Sequence, residues 1–365
     1  MNPLRLLLWP VALIYFLGVW LRNKLFDLGV FHEHSFDVFT VSVGNLSTGG
    51  SGKTPHVIYF LEHFKKEFNV ACLSRGYGRK TNGYLLADES SKFEDIGDEP
   101  VLIKSKFNDV PVVVCENRVS GIRQMQNDIQ ALDIIVLDDA YQHRSVKPEG
   151  NILLTEYSRP YVEDYILPVG NLREPAKNSA RADIIVVTKC PTVLSPLDRR
   201  ALIDKLNPGP YQTIYFSYMD YGALSPVDEL TGSCPAKIDK AVLFTGIANS
   251  DPIYYYLQAR RIELTHLKFP DHHTFYKNDV DRLINAYESL PKAGNNIIIT
   301  TEKDFMRMKN NPLFESVLKL PMYIQPIEVK FHGDDGDSLK KQITEYVKRN
   351  RVHTNVSKKE GKKNT

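Results

Sequence analysis

Ser47-Thr-Gly-Gly-Ser-Gly-Lys-Thr54 sets flexible glycines beside one lysine and several hydroxyls, a combination suited to holding phosphates. Gly49, Gly50 and Gly52 let successive backbone N–H groups turn inward onto phosphate oxygens, and a helix starting behind them adds its partial positive charge. Lys53 would reach the β- and γ-phosphates, and the Thr54 hydroxyl would ligate Mg²⁺. Ser47, Thr48 and Ser51 complete the expected nucleotide-binding run. Ser47 stands where the strict phosphate-loop pattern has glycine. The plainer reading is a glycine-rich turn that happens to carry Lys-Thr. The flanks oppose it. Val38 to Val43 is a short β-branched apolar run, and Val57, Ile58, Phe60, Leu61 and Phe64 line one side of a helix, so strand, loop and helix follow in the required order. Pro55 suits the first helical turn, where its missing N–H is not needed.

A second group closes the run Asp133-Ile-Ile-Val-Leu-Asp-Asp139. Paired carboxylates at a buried strand end repel each other unless a cation lies close. Beside a phosphate loop this is where a direct or water-mediated Mg²⁺ ligand belongs, and either Asp138 or Asp139 fits. The alternative is a polar turn after a strand. Gly97-Asp-Glu-Pro100 leaves Asp98 open between a functional carboxylate and a plain helix cap. Ser74-Arg-Gly-Tyr-Gly-Arg79 follows a strand, and Arg75 and Arg79 suit anion recognition unless the loop is merely basic. In Phe269-Pro-Asp-His-His-Thr-Phe275, adjacent ligands rarely chelate one ion and no second cluster has suitable spacing, so zinc is discounted. A histidine poised for proton transfer competes there with an ordinary turn histidine. His32-Glu-His34 reads as surface.

The elements that must position these residues follow from periodicity. Val70 to Ser74, Pro111 to Cys115, Ile134 to Asp139, Asn151 to Tyr157 and Asp183 to Lys189 are short apolar runs separated by helical or loop material. They predict an α/β fold of the phosphate-loop NTPase type, a mainly parallel sheet with helices on both faces. Phosphate sites in such sheets lie at the carboxyl ends of strands, where these motifs fall. The nucleotide-binding domain is expected over 28–212. Residues 213–240 carry a lone strand-like run and then Gly222, Pro226, Gly232 and Pro235, which reads as a boundary. A smaller C-terminal α/β lobe is expected over 241–350, with Met322 to Phe331 a strand returning beside Thr213 to Tyr221. The tail 351–365 is expected to be disordered and basic.

Leu6 to Leu21 carries no charge, is bracketed by Arg5 and by Arg22 and Lys24, and contains Trp9, Tyr15, Phe16 and Trp20, residue types that favour a membrane interface. As a helix it reaches about 24 Å, short of a ~30 Å hydrocarbon core, and Pro10 is a candidate kink. No small-x-small cleavage site precedes Asn23-Lys24, so residues 1–27 read as an uncleaved helix seated in a membrane's cytoplasmic face, either shallowly or partly spanning it. The alternative is a helix covering the protein's own surface. A length of 365 residues suggests two domains. A formal net charge of +2 argues against a broad nucleic-acid surface. Cys72, Cys115, Cys190 and Cys234 lie far apart without Cys-x-x-Cys spacing and read as reduced core residues.

Taken together, Val43 to Pro55, Ser74 to Arg79, Gly97 to Pro100, Asp138-Asp-Ala-Tyr-Gln-His-Arg144, Gly170-Asn-Leu-Arg-Glu-Pro175 and Asp271-His272 closely resemble, in this order, the tetraacyldisaccharide 4′-kinase family, the lipid A 4′-kinases of Gram-negative bacteria. The resemblance covers the chain to about residue 345. It implies transfer of the ATP γ-phosphate to the 4′-hydroxyl of a tetraacylated glucosamine disaccharide 1-phosphate, giving the 1,4′-bisphosphate. It also implies a site between two lobes and a helix docked on the inner membrane. No nucleic acid is expected as a partner, and no obligate protein partner is evident in the sequence. Asp138 and Asp139 are then best spent on Mg²⁺, which leaves Asp98 as the base, and His272 is the partner to which the resemblance points. Arg75, Glu99, Arg173 and Glu174 become candidate substrate contacts. Ala140-Tyr141 departs from an expected Gly-Phe without removing a functional group.

Two other classes compete. A GTPase switch would use Thr188-Lys189 to start a guanine-reading Thr-Lys-x-Asp, but Pro191 stands where the carboxylate belongs. A membrane-positioned ATPase of the partitioning type would carry an extra lysine at Thr48.

Overall fold

A computed structural model describes residues 3–228, 232–271, 273–309 and 311–361. Among them, nine strands form one sheet, in the spatial order 327–331, 213–221, 184–188, 150–156, 39–45, 134–138, 70–74, 112–114 and 85–86. All neighbours are parallel except the pairs at the two edges. The central strands are runs of Val, Ile and Leu buried on both faces, as a parallel sheet requires. Helices Lys53–Phe64 and Asp98–Lys106 cover one face, and Arg118–Asp128 and Pro196–Leu206 the other. A second, five-stranded sheet, ordered 263–268, 240–245, 296–301, 322–325 and 225–226, forms the smaller lobe.

The lobes are divided differently from the sequence reading. Thr213–Tyr221 is no boundary segment, because it pairs in parallel with Ile184–Thr188 inside the large sheet. The expected strand over Met322 to Phe331 is two strands broken at Pro326, which has no N–H to give a ladder. Met322–Gln325 belongs to the small sheet, and Ile327–Phe331 returns antiparallel beside Thr213–Tyr221. The helix Asp335–Gly361 follows it onto the large lobe, where Leu339, Ile343 and Val347 join the core of Phe39, Val41 and Phe60. That helix continues past 351, where the sequence led us to expect a disordered tail.

The N-terminal segment is helical, as Pro3–Leu6 and then Trp9–Asp27. Pro10 does not kink it, since it sits in the first turn of the second piece. Only Ala12 and Asn23 of that piece are buried, while Trp9, Val11, Leu13, Ile14, Leu17 and Leu21 are exposed. Among the described residues no helix is long and apolar enough to cross a membrane.

Candidate active site

The strand Phe39–Asn45 is buried throughout and feeds the phosphate loop, after which helix Lys53–Phe64 begins. Gly52 caps that helix at φ 84°, a left-handed conformation in which any residue with a side chain is strained. The segment Gly170 to Pro175 braces the loop. Thr48 N–H donates to the Asn171 carbonyl at 2.7 Å and Arg173 N–H to the Leu46 carbonyl at 2.7 Å. Ser47 forms an antiparallel bridge with Leu172, an extended setting that explains why glycine is not needed there. His56 pins the far end. Its Nδ1–H donates to the Gly52 carbonyl at 2.7 Å, and its Nε2 accepts from the Ser217 hydroxyl at 3.0 Å. Burial lowers the His56 pKa to about 4, so the ring is neutral.

Val43 is in register with Asp138 on the neighbouring parallel strand, so the acidic pair emerges beside the loop. There the two carboxylates diverge. Asp139 is left-handed at φ 47° and faces Arg173 at 3.0 Å and Lys53 at 3.7 Å. Desolvation pushes its carboxyl up, but Lys53 and Arg173 outweigh it and hold Asp139 below the usual carboxylate range. Asp138 is buried and accepts from the Ser74 hydroxyl at 3.0 Å. Burial, then Glu99 and Asp139, raises its pKa to about 7. Its Oδ1 has no hydrogen-bond partner among the described residues, and neither have Ser51 Oγ and Asn45 Nδ2. A buried carboxylate oxygen is costly when unpaired, and a divalent cation carrying polyphosphate would satisfy it. Among the described residues no three His, Cys, Asp or Glu side chains converge on a metal position. Mg²⁺ needs no such cage, because it keeps waters and phosphate oxygens as ligands. The residues present therefore fit Mg²⁺ with a nucleoside triphosphate.

Asp98 opens helix Asp98–Lys106 behind Gly97, whose φ of 89° and contact with the Tyr77 carbonyl, 2.6 Å from a would-be Cβ, exclude a side chain. The Asp98 carboxylate is buried against Arg307 of the smaller lobe, with Nε at 3.0 Å from Oδ2. Glu99 pairs with Lys303 at 3.3 Å. Both acidic residues thus lie where the lobes meet. His272 lies outside the described residues. Its neighbour His273 is engaged by Asp279 at 2.9 Å, in the cap of helix Lys277–Glu288.

Of the two loop arginines, Arg75 is exposed, whereas Arg79 is paired with Glu116. Arg118, buried beneath the acidic strand end, donates to the Cys115 carbonyl at 2.7 Å and the Asp138 carbonyl at 3.2 Å. Glu174 is buried and accepts from Asn178 and Arg181 at 2.8 Å each, with Arg22 of the N-terminal helix at 3.5 Å. It holds scaffold rather than lining an opening. Lys189 is tied to Glu156 at 2.7 Å.

The sequence reading missed Lys303, Asp304 and Arg307. Thr301-Glu-Lys-Asp304 after an apolar run does carry a helix-start signal, and Asp304 N–H donates to the Thr301 hydroxyl at 3.1 Å. Nothing local marks Arg307 as a residue that reaches the other lobe.

Residues 4–348 match the family described as tetraacyldisaccharide-1-P 4′-kinase. The chain belongs to that family. A tetraacyldisaccharide 4′-kinase of Phocaeicola vulgatus is 42% identical, covering 96% of this chain and 97% of the relative. One of Flavobacterium johnsoniae is 41% identical, covering 96% and 99%. The crystal structure of LpxK from Aquifex aeolicus in complex with ATP shares the fold at a TM-score of 0.70 and 27% identity, covering 94% of this chain and 99% of that one. Family membership makes the chain an ATP-dependent kinase of lipid A biosynthesis and disfavours the switch and partitioning readings.

Proposed function

We propose that this kinase carries the γ-phosphate of ATP to the 4′-hydroxyl of an acylated glucosamine disaccharide 1-phosphate at the cytoplasmic face of a bacterial inner membrane. The observation that carries the reading is the alignment of Val43 with Asp138, which sets the phosphate loop beside an acidic strand end. The loop N–H groups and Lys53 hold the phosphates and take up charge on the transferring group. Thr54 and Asp138 would hold Mg²⁺, which when bound neutralises phosphate oxygens. Asp139 keeps Lys53 and Arg173 beside the loop.

A sugar hydroxyl is a weak nucleophile, and Asp98 accepts its proton as the new O–P bond forms. The bond from the γ-phosphorus to the bridging oxygen breaks, and its electron pair leaves with ADP. His272 is the proposed orienting partner of Asp98. Arg75 and Arg173 are the candidate contacts for substrate anions, and Glu99 is a further candidate contact; the burial of Glu174 favours a bracing role. The exposed apolar side chains of Trp9–Asp27 would seat the protein on the membrane that holds its acceptor. ATP turnover with and without the acylated disaccharide tests the reading. Turnover should rise by orders of magnitude with the acceptor, and equal ATP hydrolysis in both arms would overturn it.

A further inference from the structure

A buried ion-pair network crosses between the lobes and ends on Asp98. Arg307 is 6% exposed and belongs to helix Glu302–Lys309 of the smaller lobe. Its Nη1 donates to the Gly246 carbonyl at 2.9 Å and to Asp304 Oδ1 at 3.2 Å. Asp304 is itself fixed, accepting from Gly246 N–H at 2.9 Å and from the Thr301 hydroxyl at 2.7 Å. One edge of the guanidinium is therefore held within the smaller lobe. The other edge, Nε and Nη2, reaches across to a single oxygen of Asp98, Oδ2.

We infer that Arg307 is a further positioning residue for the Asp98 carboxylate, beside the proposed partner His272. It aims that carboxylate from the smaller lobe, so the base is correctly placed only while the lobes are joined. The inference rests on the reading of Asp98 as the proton acceptor. Two physical points support it. A guanidinium offers a planar fork, so clamping one edge orients the other, which an ammonium cannot do. The positive charge also keeps Asp98 ionised, the form in which it accepts a proton. Among the described residues, further charges near Asp98 include Lys303, 3.9 Å away and shared with Glu99 and Asp271, and Asp304 behind Arg307. An Arg307 side chain needed only to glue the lobes would act on stability alone.

The test uses the purified full-length chain with ATP and the acylated disaccharide, and steady-state kinetics across pH. Arg307→Gln should lower kcat by about 10²-fold, the cost of a misplaced catalytic group, with ATP KM unchanged. The acid limb of its pH–rate profile should move to higher pH, because Asp98 loses its adjacent cation. Arg307→Lys should also lower kcat while moving the acid limb less. It keeps the charge and serves if the Gln variant fails to fold. In an Asp98→Asn background, Arg307→Gln should add little further loss. Wild-type kcat in either Arg307 variant overturns the inference, as does an undiminished loss in the Asp98→Asn background. A harmless Asp98→Asn instead overturns the reading of Asp98 as base, and that outcome is separate because it is read on Asp98 alone.

Discussion

One guanidinium nitrogen of Arg173 donates to both oxygens of Asp139, at 3.1 and 3.0 Å, and Lys53 stands 3.7 Å from the same carboxylate. Asp139 thereby collects two cations at the mouth of the phosphate loop. Lys53→Ala should abolish phosphotransfer and leave the fold intact, because its work is on phosphate charge rather than on the core. Circular dichroism and turnover of the purified variant decide it. Near-normal turnover by a folded Lys53→Ala protein refutes the nucleotide assignment.

His56 predicts a pH dependence of stability. Its folded pKa is lowered to about 4 by burial, against about 6.5 for a free histidine. Between those values the unfolded chain binds a proton that the folded chain does not, so stability falls as pH falls through that window. At about 1.4 kcal/mol per pH unit the full effect is about 3 kcal/mol. Urea unfolding at pH 7.5 and pH 5 should show a loss that is clearly smaller in His56→Gln. Identical losses in the two proteins would show that another group carries the dependence.

The N-terminal helix predicts membrane binding without a span. A chain starting at Phe26 loses the exposed apolar surface of Leu7 to Leu21, a contribution of several kcal/mol at roughly 25 cal/mol per Å². Sedimentation with vesicles containing anionic phospholipid should carry down the full-length protein and leave the shortened one in solution. If the full-length protein stays in the supernatant, the docking proposal fails.

Tyr141 offers a stability test away from the chemistry. Its buried hydroxyl donates to the Asn178 carbonyl at 2.7 Å, and the Arg181 guanidinium lies over its ring at 4.7 Å. Tyr141→Phe, which restores the side chain expected from family resemblance, should cost about 1 kcal/mol in chemical denaturation with kcat unchanged. A gain in stability would show that the hydroxyl is not satisfied as described.

Much of the large lobe was legible because parallel strands buried on both faces write themselves as apolar runs. Ile134–Asp138 and Ile184–Thr188 differ from their expected bounds by one residue or so. The phosphate loop was legible because its chemistry is local in sequence. Glu263–Lys268 was missed, since its half-exposed Glu-Leu-Thr-His-Leu-Lys pattern lacks an apolar run. The return of Ile327–Phe331 to the large sheet was seen only in outline, as the break at Pro326 decides which sheet each half joins. The ion pair between Arg307 and Asp98 spans more than two hundred positions and has no local signature, because it depends on how two lobes meet.

The chain leaves the large lobe at Tyr221 and re-enters it at Ile327, and these two residues are paired to each other. The crossings touch, with Gly222 N–H donating to the Pro326 carbonyl at 3.2 Å. During synthesis, then, residues 213–221 emerge as a sheet edge that must wait for its partner strand. The core around Phe39 and Val41 likewise waits for Leu339, Ile343 and Val347. The smaller lobe, contiguous in sequence, can finish on the ribosome first. Domains usually complete from the N-terminus onward; here the later-made unit is whole before the earlier one can close. Until then an unpaired strand edge is open to wrong partners, the hazard that exposed edges carry.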